Sequence, residues 1–64
     1  MMSFAEKIKF VRAKLLISQT VLAEEMGVSF STVNRWETNK HAPSFIAQKK
    51  FELFCESKGI RFEE

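Results

Sequence analysis

Between Met26 and Phe30 the chain reads Gly27-Val28-Ser29, and these three residues constrain it more than any others. Glycine adopts the left-handed backbone of a helix C-cap without strain, so Gly27 stops one helix. Serine is among the best N-caps, so Ser29 starts the next. Two helices are therefore joined by a very tight turn, with Val28 free to plug into a core. The first of the pair begins at Ser18 and is only about two turns long, with Leu22, Ala23 and Met26 inward and Glu24 and Glu25 outward.

The flanking segments read the same way. Ser3 followed by Glu6 is a capping box. Phe4, Ile8, Val11 and Leu15 then mark one face of an amphipathic helix, and Phe10 falls off that stripe. Pro43 and Ser44 open a last helix with Ile46, Ala47, Phe51, Leu53 and Phe54 as its apolar positions. Gly59 closes it, and Ile60 can fold back as in a Schellman motif. The expected helices span 3–16, 18–26, 30–38 and 44–58. The fold class is all-α, a compact bundle of four to five helices over residues 1–64 as one domain. The alternation Ile60, Arg61, Phe62, Glu63 leaves room for a short C-terminal strand.

Composition limits the function. Sixty-four residues suffice for one small domain, and 45% apolar content supports a small core. A lone Cys55 forms no internal disulfide, and with His41 the only other soft ligand no metal site is expected. Cys55 reads as a small buried hydrophobe. No run of about 18 apolar residues exists, so no membrane span is expected, and without a signal-peptide pattern the chain reads as cytoplasmic. The absence of a defensible carboxylate pair or nucleophile constellation argues against an enzyme, a cofactor or a small-molecule ligand. A net charge of +2 is compatible with nucleic acid and no more than that.

The helix at 30–38 carries the functional signal. On a wheel, Val33 and Trp36 define its buried direction, and Phe30 and Glu37 lie on one edge with Thr32 on the other. Ser31 and Thr38 point away from the core, flanked by Asn34 and Arg35. Ser, Thr and Asn are poor helix formers, so helix stability does not explain them. Base edges in DNA do take such side chains: Arg grips guanine, Asn suits adenine, and Ser or Thr fit several edges. An apolar Phe30 is of a kind that meets a thymine methyl, though composition alone does not assign it.

Residues 18–44, "SQTVLAEEMGVSFSTVNRWETNKHAPS", resemble the helix-turn-helix of the phage Cro and lambda-type repressor (XRE) family. Ala23, Gly27, Val33 and Trp36 follow Gln19 by four, eight, fourteen and seventeen residues, with the turn at 27–29 inside a helix-turn-helix spanning 19–38. The resemblance implies sequence-specific binding of double-stranded DNA, with the third helix in the major groove, and a role in transcription regulation. Phe30, Ser31, Asn34 and Arg35 match the family's base-reading positions. Gln19, Asn39, Lys40 and His41 match phosphate-contacting ones, and Thr32 is a further candidate. Arg12 and Glu37 match a structural ion pair.

This chain departs from the family pattern at three positions. Leu16 and Asn39 stand where the family commonly has Gly, and Phe30 replaces a usually polar residue. A second reading is a protein-interaction module, antitoxin-like or adaptor-like, on the same fold. Leu53, Phe54, Ile60 and Phe62 either cover the chain's own core or form a homodimer interface, with the tail as a paired strand.

Overall fold

The computed structural model describes residues 2–38 and 43–62, so Asn39, Lys40 and His41 lie outside the described residues. Four helices follow in order: α1 Phe4–Leu15, α2 Gln19–Met26, α3 Phe30–Thr38 and α4 Phe45–Ser57. Each begins on a serine. Ser3 forms a capping box, its Oγ accepting from Glu6 N–H at 3.1 Å and its N–H donating to Glu6 Oε1 at 2.8 Å. Ser18, Ser29 and Ser44 accept at Oγ from the N–H of Val21, Thr32 and Ala47, each at 3.1 Å. Each bond satisfies an amide that the helix itself leaves unpaired.

Three helices end by one device. In α1, Ile17 N–H bonds Arg12 C=O at 3.0 Å and Leu16 N–H bonds Ala13 C=O at 3.3 Å. The same two bonds recur at Val28 to Ala23 and Gly27 to Glu24, and again at Ile60 to Cys55 and Gly59 to Glu56. These are Schellman motifs, each with a left-handed residue followed by an apolar one that turns back onto the helix. Ile60 is buried in the core, and Ile17 and Val28 pack against it. The turn after α2 needs glycine for its φ of +72° and not for space, since a Cβ there would meet nothing.

The core comprises Ile8, Val11, Leu22, Ala23, Val33, Phe51, Phe54, Cys55 and Ile60. Phe54 and Ile60 are therefore internal, which corrects their placement on a homodimer surface. Phe54 faces inward with Phe51 and Cys55 at helical spacing, and the Schellman turn brings Ile60 back over them. Phe62 is half-buried, its ring 5.7 Å from Phe10 and 6.1 Å from Phe51. Phe10, off the stripe of α1, thus gains a partner from the tail. Phe51 continues to Phe4 at 5.2 Å and Phe4 to Trp36 at 5.4 Å, both edge-to-face. Such pairs contribute about 0.5–1.5 kcal/mol each beyond burial. The tail forms no strand among the described residues.

One polar link crosses this core. Arg12 donates through Nε to Glu37 Oε2 at 2.5 Å and through Nη2 to Oε1 at 3.0 Å, while Nη1 reaches Ile17 C=O at 3.2 Å. Glu37 is 7% exposed, the one buried charged residue among those described. Burial pushes its carboxyl up, but hydrogen bonds from Arg12 and Gln19 and the guanidinium charge outweigh that and hold it below the ordinary range. The same pairing raises Arg12 further above its already high value.

Leu16 has φ +57° and is 90% exposed, so its side chain makes little contact while its backbone is strained. Relief of the left-handed strain, about 1–2 kcal/mol, exceeds the entropy that glycine adds to the unfolded chain, about 0.5–1 kcal/mol. Leu16→Gly is expected to raise the melting temperature by a few degrees, and a lower value would refute strain at this turn. Glu37 has a depressed folded pKa, so its stabilisation is complete above the unfolded value of about 4.3 and disappears as pH falls through the folded value. Urea titrations between pH 7 and pH 3 are expected to show a steeper loss of stability in the wild type than in Glu37→Gln. Equal slopes would mean that the pair contributes nothing to the pH dependence.

Candidate nucleic-acid interface

The α2-turn-α3 unit carries the candidate interface. Val33 is fully buried and Trp36 is half-buried against Phe4, which seats α3 with its opposite face outward. At about 100° per residue, Phe30, Asn34, Thr38, Ser31 and Arg35 fall in that order across an arc of about 140°. All five are exposed. Ser31, Asn34 and Arg35 have side chains that no hydrogen bond or ion pair ties to another described residue. Among the described residues, their side-chain donors and acceptors are not engaged.

Other polar groups on α3 are already engaged. Thr38 Oγ1 donates to Asn34 C=O at 2.9 Å. Ser29 Oγ and Thr32 Oγ1 share a hydrogen bond at 2.8 Å, in addition to the cap from Thr32 N–H. Thr32 is half-buried, and its hydroxyl belongs first to the start of the helix. Seen from α2, Gln19 is the first helical residue, and its side-chain amide lies near enough to Glu37 to favour the ionised carboxylate. The carboxylate of Glu37 takes its two close donors from Arg12 of α1. This pair ties α1 to the C-terminal turn of α3.

Elsewhere the surface carries residues that the periodicity of α4 did not separate from its core. Phe45, Ile46 and Leu53 are 74%, 70% and 64% exposed. Ile46 and Leu53 are apolar positions of α4, as Phe51 is, but they do not share its face. They lie about 140° and 160° from Phe51 on the helical wheel, and that offset places them on the solvent side. Cys55 is buried, and burial pushes its thiol up to about 11, which leaves it an unreactive hydrophobe at neutral pH. No cluster of three metal-ligating side chains occurs among the described residues. No helix of the described chain is long and apolar enough to cross a membrane.

The helix-turn-helix family profile matches residues 8–51, from the core of α1 through α2 and α3 to Phe51 of α4. No curated protein and no solved structure matches the chain. The family match covers most of the sequence and spans every element that holds the exposed face of α3. The chain belongs to the Cro and lambda-type repressor (XRE) family of DNA-binding helix-turn-helix domains.

Proposed function

We propose that this protein is a transcriptional regulator that binds double-stranded DNA sequence-specifically by inserting α3 into the major groove. The observation that carries this reading is the open set Ser31, Asn34 and Arg35 on the solvent face of α3. Arg35 suits bidentate contact with guanine O6 and N7, Asn34 suits adenine, and Ser31 fits several base edges. Phe30 completes the base-reading row. Gln19, at the N-terminus of α2, contacts a phosphate, helped by the helix dipole. Thr32, Asn39, Lys40 and His41 add backbone contacts.

A net charge of +2 neutralises few phosphates, so one copy alone binds weakly at physiological salt. A homodimer on a near-palindromic site remedies this, and Leu53 with Phe45 and Ile46 offers an apolar face for it. The same face favours the second reading, in which the domain is an adaptor that binds a partner protein.

In vitro selection from random duplex DNA at stated salt tests the first reading. The wild type is expected to enrich a defined sequence, as two half-sites about 34 Å apart if it binds as a dimer. Arg35→Ala is expected to weaken binding by about 1–3 kcal/mol and to relax the preference at one base pair. An unaltered preference in Arg35→Ala would remove Arg35 from base reading, and no enrichment by the wild type would favour the adaptor.

A further inference from the structure

We infer that Phe30 reads the C5-methyl group of a pyrimidine in the major groove, an assignment that rests on the DNA-binding reading above. Phe30 is the first residue of α3 and is 51% exposed. None of the ring contacts among the described residues includes it; the aromatic chain of the core runs through Phe4, Phe10, Trp36, Phe51 and Phe62. Helix periodicity puts it about 40° from Asn34, so an apolar ring stands at the edge of a hydrogen-bonding row. Side chains of a helix lean toward its N-terminus, which carries this ring over the turn at Ser29, toward the end of α3 that approaches base edges.

What such a ring can meet there is narrow. A phenyl group has no donor or acceptor. Pressed on guanine N7 and O6, on adenine N7 and N6, or on cytosine N4, it would strip water from those atoms and return no hydrogen bond. The C5-methyl is the one apolar group on the major-groove edge. Contact with it buries apolar surface on both sides and leaves no polar atom unpaired. Phe30 therefore sets specificity at one pyrimidine, and thymine and 5-methylcytosine carry the same recognised group.

The test uses the full chain and the duplex that it selects. At each pyrimidine of a half-site, affinity is measured with thymine, deoxyuridine, cytosine and 5-methylcytosine. At one position the wild type is expected to bind thymine roughly fourfold more tightly than deoxyuridine, the equivalent of about one buried methyl. A comparable ratio of 5-methylcytosine over cytosine at that position would extend the recognition to methylated DNA. A ratio confined to thymine would identify thymine as the target. Phe30→Ser is expected to bring the ratio to about one, and Phe30→Leu, which keeps an apolar tip, to retain part of it. Ratios of one at every position in the wild type, or a ratio that survives in Phe30→Ser, would overturn the inference and leave DNA binding intact. Failure to select any duplex would overturn both.

Discussion

The Arg12–Glu37 pair is the constraint on which the rest of the structure depends. It joins the C-terminal half of α1 to the last turn of α3. A buried pair of this kind adds little net stability against an apolar replacement, but removing one partner costs about 3–5 kcal/mol because a charge is left without compensation. Its role is positional. An apolar contact at Glu37 could slide, whereas a bidentate fork admits one orientation. The outward face of α3 is thereby held in a fixed orientation against α1.

Around this link the domain makes economical use of a short chain. Three turns close with paired backbone bonds, and in each the next residue, Ile17, Val28 or Ile60, serves the core. Connections are therefore packing elements as well. The aromatic chain from Trp36 through Phe4 and Phe51 to Phe62 and Phe10 extends the core to the tail. Without a disulfide, that continuity supplies cohesion that a small domain otherwise lacks. The tail covers its own core, and α4 leaves an apolar face of Phe45, Ile46 and Leu53 exposed.

Much of this was legible from local chemistry. Each serine N-cap, the glycines at 27 and 59, and the stripe Phe4, Ile8, Val11, Leu15 are short-range signals, and a helix is a short-range structure. Arg12 and Glu37 could be paired only through the family resemblance, because 25 residues separate them. What periodicity left open depended on tertiary partners. Phe10 is off the stripe because its partner is Phe62, far along the chain. Phe54 and Ile60 were indistinguishable from Leu53 by hydropathy, and only the direction of α4 against the core sorts them. Leu16 in a left-handed turn was visible as a departure from the family pattern. Its strain became definite with the backbone angle. The residues proposed to face DNA were legible by type, but whether each side chain is open or engaged was not. Thr32 and Ser31 look alike in sequence, yet the hydroxyl of Thr32 is bonded to Ser29 and that of Ser31 is unengaged among the described residues.

The central claim is that the outward face of α3 meets DNA while the rest of the domain acts as its support. An NMR titration of the isotope-labelled chain with its selected duplex tests it most directly. The claim predicts that the largest shift changes fall on Phe30, Ser31, Asn34, Arg35 and the side chain of Gln19, with Phe10 and Phe62 unmoved on the tail side of α1. Changes centred on the tail and α4 with the α3 face silent would contradict it.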